Sequence, residues 1–213
     1  MIDTEKKFVL TFARQFGSGG HEVAEKTAKL LGVPFYDKDL IALAAKESGL
    51  SENLFDGLDE KPTNSLLYSL VMGLQSGSST YCRYGDVTSS DNIFRIQAQV
   101  IRELAEKGPC VIVGRCSDYV LRKSENLISV FVRADMEFRT ERIMQLYDMK
   151  EKPALDYISK TDKRRSSFYN FYTNRIWGSA DNYDISISTD RCGTDRAAEI
   201  ITDFAKGIID RGC

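Results

Sequence analysis

The chain has 213 residues, 42% hydrophobic and 28% charged, with a net charge of −2; its length fits one domain with an insertion, or two small ones. The near-neutral balance argues against nucleic acid or a membrane surface as a partner of the whole chain. No apolar run approaches the roughly 20 residues of a membrane helix, and the start, MIDTEKKFVL, carries no apolar signal segment, so the expected location is the cytoplasm.

Short apolar runs alternate with helical patterns along the chain. FVLTFA (Phe8 to Ala13) reads as the first strand, and a short piece at Pro34 to Tyr36 as the second. PCVIVG (Pro109 to Gly114), LISVFVRA (Leu127 to Ala134) and YDISIST (Tyr183 to Thr189) follow. Runs apolar at nearly every position suit strands covered on both faces, as in parallel sheets. Between them, Val23, Thr27, Leu30 and Leu31 line one helical face, and Ile96, Val100, Ile101, Leu104 and Ala105 another. Phe138, Ile143, Met144 and Tyr147 make a third stripe, and Ala197, Ala198, Ile201, Phe204, Ala205 and Ile208 a fourth. The alternation predicts an α/β fold with a parallel sheet and right-handed crossovers. Two regions interrupt it. Residues 40–90 end in the polar stretch QSGSSTYCRYGDVTSS, and residues 147–179 are rich in Lys, Arg and Tyr. The five cysteines, Cys82, Cys110, Cys116, Cys192 and Cys213, are odd in number and include no C-x-x-C pair. Zinc and a disulfide framework are therefore not expected, and reduced thiols are.

A glycine-rich turn, Gly17-Ser18-Gly19-Gly20, joins the first strand to the first helix. Backbone N–H groups at such a turn, with the helix N-terminus behind them, suit a phosphate. The Walker pattern G-x-x-x-x-G-K-[ST] is not met. With Gly19 as its second glycine, Arg14 stands at the first-glycine position, Gly20 at the lysine and His21 at the hydroxyl. The segment is also readable as a plain strand-to-helix turn. Arg14 lies at the C-terminal end of its strand, the edge where open α/β sheets bind ligands. It is placed to supply the missing cation, or to make a surface ion pair. His21, the one histidine, reads as a cap or surface residue, which also argues against a Ser-His-Asp triad.

Two further signals concern charge. Gly114-Arg115 follows a buried strand, where a guanidinium can grip a phosphate bidentately. Asp118 just beyond can bind Arg115 or a ligand, or cap a helix. Arg139 and Arg142, three apart, share a helical face. After them comes ISKTDKRRSSFYNFYTNRIW, with Lys160, Lys163, Arg164, Arg165 and Arg175. Such cations suit a transferring phosphoryl group. Taken alone, they better suit a solvated basic face, or an RNA patch with Tyr169, Phe171 and Tyr172.

Together, FARQFGSGGHEVAEKTAKLLGVPFYDKDLI, VIVGRCSDYVL, FVRADMEFRTERI and the KTDKRR, FYTNRIWG and NYDISIST segments resemble the cytidylate-kinase-like family, relatives of the P-loop nucleoside monophosphate kinases. The resemblance covers nearly the whole chain. It implies a three-layer P-loop fold over residues 1–213, with a five-stranded parallel sheet. A helical acceptor-binding insertion is expected at about 40–90 and a basic lid at about 147–179. It implies ATP and Mg²⁺ at Gly17, Ser18, Gly19, Gly20 and His21. Arg115 resembles the acceptor-phosphate arginine, though Cys116 stands where that element has aspartate. Arg139 and Arg142 resemble the arginines that open the lid, and Asp162 and Arg164 its later Asp and Arg. Tyr36-Asp37 looks like the start of the acceptor-binding segment, with Ala42 and Leu43 where an arginine is expected. The implied activity is ATP-dependent phosphoryl transfer to a small acceptor, a nucleoside monophosphate such as CMP, with Arg139, Arg142 and Arg164 catalytic; Arg14, read from its place at the strand end, is expected to join them as a catalytic cation. A nucleotide-binding protein that has lost catalysis is the rival, and an RNA- or anion-binding protein the third reading.

Overall fold

The computed structural model describes residues 7–39, 41 and 89–211. Five strands form one sheet: β1 (Val9–Arg14), β2 (Phe35–Tyr36), β3 (Cys110–Val113), β4 (Leu127–Arg133) and β5 (Ile185–Ser188). Their order is β2-β3-β1-β4-β5, and every neighbouring pair is parallel. All five expected strands are present; four are trimmed by one or two residues at their ends, and the first starts and ends one residue later than expected, at Val9 and Arg14. The expected insertion at about 40–90 lies outside the described residues except for Ile41 and its last residues, and Cys82 and Cys213 lie outside them too.

The apolar runs are explained by burial on both faces. Phe8, Leu10 and Phe12 at β1, with Val111 and Val113 of β3, pack with Val23, Ala24 and Ala28 of α1 (Gly20–Leu31). Ala197, Ala198 and Ile201 of α6 (Thr189–Arg211) complete that layer. The intervening residues Val9, Cys110 and Ile112 face the other way. They meet Val100, Ile101 and Leu104 of α2 (Ser89–Lys107). Alternation along a strand thus feeds two apolar layers, so both faces read as hydrophobic.

The helices are punctuated where the chain must change direction. Gly32 closes α1 in the left-handed region at φ 69°, donating to Ala28 and Lys29 carbonyls, a glycine C-cap. Asp135 caps α4 (Met136–Tyr147) by accepting the Phe138 N–H at 2.8 Å. A four-residue turn of helix, α3 (Ser117–Val120), follows β3. The basic segment is one long helix, α5 (Glu151–Thr173), whose buried residues are Ala154, Ile158, Thr161, Tyr169 and Thr173. Ala154 and Ile158 join Ile143 of α4 and Phe16 in a third apolar cluster. Among the described residues, no helix is long and apolar enough to cross a membrane.

The chain leaves β1 toward β2 and β3, but leaves β4 toward β5 on the opposite side. Crevices at the carboxyl ends of such diverging neighbours hold ligands in open α/β sheets. The glycine turn sits there.

Candidate functional site

The turn after β1 is held from several sides. Gly17 and Gly19 take φ of +81° and +73°, and Gly19 is the N-cap of α1. Side chains at these positions would collide with what lies behind. A Cβ on Gly17 would stand 2.9 Å from the Arg139 carbonyl oxygen, and one on Gly19 2.7 Å from Thr194 Cγ2. Ser18 is fully buried and works inside the loop. Its hydroxyl donates to the Gln15 carbonyl at 2.8 Å and accepts the Gly20 N–H at 3.3 Å. Its own carbonyl accepts from Thr189 Oγ1 at 2.7 Å. What borders the open side is the first turn of α1, Gly20, His21 and Glu22, at the positive end of the helix dipole.

A cleft of about 270 Å³ opens in front of this turn, bordered by Gly17, Gly19, Gly20 and His21 and by Arg14, Arg142 and Arg165. Arg142 donates to Glu22 Oε2 at 2.6 Å. Burial pushes the Glu22 carboxyl up, but hydrogen bonds from Lys26, Thr194 and Arg142 outweigh it and hold the group at about 2. Lys26 also reaches Asp195 at 2.5 Å. This network ties the first turn of α1 to α6 just past Gly193, where a left-handed residue breaks the helix. His21 is half exposed; its Nε2 lies 3.1 Å from Asp37 Oδ2 and its ring stands edge-on to Phe35.

Arg139 and Asp162 sit behind the turn. Arg139 is 5% exposed and pairs with Asp162 at 2.5 Å. The same Nη1 donates to the Phe16 carbonyl at 3.3 Å, while Asp162 Oδ1 accepts the Phe16 N–H at 2.7 Å. Both backbone polar groups of Phe16 are thereby fixed to α4 and α5.

A second, smaller cleft of about 40 Å³ lies at the ends of β1 and β3. The turn there is unusual: Gly114, Arg115 and Cys116 are left-handed in succession, at φ 80°, 54° and 54°. Two non-glycine residues in that region carry local strain, of order 1–3 kcal/mol each, which concentrates at functional sites. Asp118 is 7% exposed and accepts the Tyr169 hydroxyl at 2.6 Å. Burial pushes its carboxyl up, against the pull of that hydrogen bond. Burial likewise pushes the Tyr169 phenol up.

The model of the cytidylate kinase-like family matches residues 9–191. The chain belongs to that family. Among solved structures it is similar to a protein described as uncharacterized from Eubacterium ventriosum ATCC 27560. Identity is 30% and the TM-score 0.69, over 93% of this chain and 98% of that one. It also shares the fold of a shikimate kinase from Bacteroides thetaiotaomicron, at 13% identity and a TM-score of 0.51, over 92% and 97% of the two chains. No curated protein matches the chain.

Within this cytidylate kinase-like fold the sequence-derived residues fall into groups. Arg14, Gly17, Gly19, Gly20, His21 and Arg142 border the loop cleft. Arg115 and Asp118 border the second, and Arg14 borders both. Arg139 and Asp162 brace the loop from behind, and Asp37 meets His21. Arg164 is half-buried on α5 and borders neither cleft. Arg165, named in the sequence only as part of a basic run, borders both. Its Nη1 donates to the Arg14 carbonyl at 3.1 Å, and its guanidinium lies 5.5 Å from the centre of the Phe16 ring. Its spacing from Asp162, three residues along one helix, was the available signal.

Proposed function

We propose that the protein transfers the γ-phosphoryl group of ATP to a small phosphate-bearing acceptor, a nucleoside monophosphate such as CMP being the first to test. One observation carries this reading: Arg14 and Arg165 border both clefts, so two guanidiniums stand between a phosphate-type loop and an arginine-bearing strand edge. Family membership supports the same class of reaction.

In this reading the first turn of α1 and the loop cradle the donor phosphates, with Arg142 and His21 at the rim. Arg115 grips the acceptor phosphate from the strained turn after β3. An acceptor oxygen bonds to the γ-phosphorus as the bond to the β–γ bridging oxygen breaks, and ADP departs with that electron pair. A monophosphate presents an ionised oxygen near neutral pH, so no protein base is required. Catalysis is then positioning and charge stabilisation. Arg139 and Asp162 contribute by holding the loop, and α5 serves as the lid.

The donor set suits Mg²⁺ carried on nucleotide phosphates. Among the described residues, no three His, Cys, Asp or Glu side chains are grouped to cage a metal. Mg²⁺ in such sites takes one or two carboxylates, with phosphate and water completing the shell. Asp37, 3.1 Å from Nε2 of His21, which borders the loop cleft, is the carboxylate that would serve. When bound, Mg²⁺ would neutralise charge on the donor phosphates.

A second reading has its own observation. Gly20 and His21 stand where Walker loops have lysine and a hydroxyl, which suits a protein that binds nucleotide without turning it over. A coupled assay with ATP, Mg²⁺ and a panel of monophosphates, run beside calorimetric ATP titration, separates the two. Turnover with any acceptor supports the kinase. ATP binding without turnover leaves the binding protein, and neither signal removes both.

A further inference from the structure

The gap left by the lysine has a steric explanation in the loop itself. Positions 14 and 20 are the first-glycine and lysine positions of the Walker pattern. A Cβ built on Gly20 would stand 2.5 Å from Arg14 Cβ, 3.0 Å from Arg14 Cγ and 3.1 Å from Val132 Cβ. Cβ atoms do not approach to 2.5 Å, whereas the Val132 contact is tight and needs that side chain to yield by a few tenths of an ångström. The two positions therefore cannot both carry side chains, because the first residue of α1 lies against the last residue of β1. If one is the cation, the other must be glycine.

A second glycine marks where the cation goes. A Cβ on Gly114 would stand 2.5 Å from Arg14 Nη1 and 3.5 Å from its Cζ. The Arg14 side chain thus passes over Gly20 at its base and over Gly114 at its tip. Its guanidinium ends over Gly114, the chain neighbour of Arg115, where the two clefts that Arg14 borders meet.

We propose that this loop is a Walker loop with its first glycine and its cation exchanged. Arg14 is the catalytic cation, and Gly20 and Gly114 are positioning residues that form its path. The inference rests on the phosphotransfer reading and adds to it. A loop lysine reaches out from the helix, whereas Arg14 crosses from the strand to the acceptor edge, so its charge sits nearer the transferring group. Its removal should lower kcat more than it weakens ATP binding.

The test is to exchange the residues back. Arg14→Ala and Arg14→Gly are expected to lower kcat about 10²–10³-fold, the usual loss for one preorganised donor. Gly20→Lys alone is expected to lower the melting temperature and abolish turnover. Arg14→Gly combined with Gly20→Lys is expected to regain at least tenfold of the kcat lost by Arg14→Gly. Guanidinium ion added to Arg14→Ala is expected to restore part of the turnover, which a structural arginine would not permit, and it reads out the proposal if the double variant does not fold. Gly20→Lys with wild-type stability and turnover overturns the exchange, as does Arg14→Ala with wild-type kcat. If the wild-type protein turns over no acceptor, the phosphotransfer reading fails by itself. Calorimetry with tripolyphosphate then decides: a loss of affinity of tenfold or more in Arg14→Ala, regained in the double variant, keeps the exchange, and unchanged affinity ends it.

Discussion

Asp162 Oδ1 accepts the backbone N–H of Phe16 at 2.7 Å, joining residues 146 apart in sequence. Its other oxygen pairs with Arg139, which in turn donates to the Phe16 carbonyl. A carboxylate in the middle of a basic helix thus fixes the backbone of the glycine loop, and the loop cannot move without breaking a nearly buried ion pair.

Asp162→Ala is expected to destabilise the fold by about 3–5 kcal/mol, because it leaves the Arg139 charge buried without its partner. Asp162→Asn keeps an oxygen for the Phe16 N–H and should lose less. Urea denaturation of the three proteins measures both. Equal stability of Asp162→Ala and the wild type would show that the pair does not brace the loop.

Glu22 makes stability sensitive to acid. Its carboxyl is held at about 2 in the folded protein against an ordinary value of 4.5. A depressed folded value means that the unfolded chain takes up the proton first, so the contribution is complete above about 4.5 and is lost as pH falls toward 2. Glu22→Gln should therefore be less stable at pH 7 and lose less on going from pH 5 to pH 3. Denaturation midpoints at those three pH values test it, and parallel pH profiles for the two proteins would refute the assignment.

The central strands were legible because burial on both faces leaves no polar alternation: Leu10 and Val9 serve opposite layers, yet both are apolar. Helix α5 was not legible as a docked helix. Its buried positions include Thr161, Tyr169 and Thr173, and the intervening residues are mostly Lys, Arg and aromatic, so its apolar stripe is faint against its charge. At the site, the position of Arg14 at a strand end could be read from neighbouring residues. The Asp162–Phe16 contact and the reach of Arg165 could not, because they depend on how α5 meets the end of β1 and the turn after it. The steric exclusion between positions 14 and 20 was visible in sequence only as two separate departures from a pattern.

Tyr169 and Asp118 join α5 to the turn after β3 through a buried 2.6 Å hydrogen bond. Tyr169→Phe removes the donor and leaves a buried carboxyl less satisfied, which should destabilise the protein by about 1–3 kcal/mol. A double-mutant cycle with Asp118→Ala should give a coupling of about 0.5–3 kcal/mol. Strict additivity of the two single effects would mean that this bond does not hold α5 in place.

Arg165 offers the sharpest separation of binding from chemistry. It borders both clefts and donates to the backbone of Arg14. If its charge acts on the transferring group, Arg165→Ala should lower kcat about 10²–10³-fold and change the ATP dissociation constant by much less. Arg165→Lys keeps the charge but not the planar fork, so it should recover only part of the loss. Single-turnover kinetics beside calorimetry resolve the two quantities. A fall confined to ATP affinity, with kcat unchanged, would place Arg165 in nucleotide binding and leave stabilisation of the transferring group to Arg14.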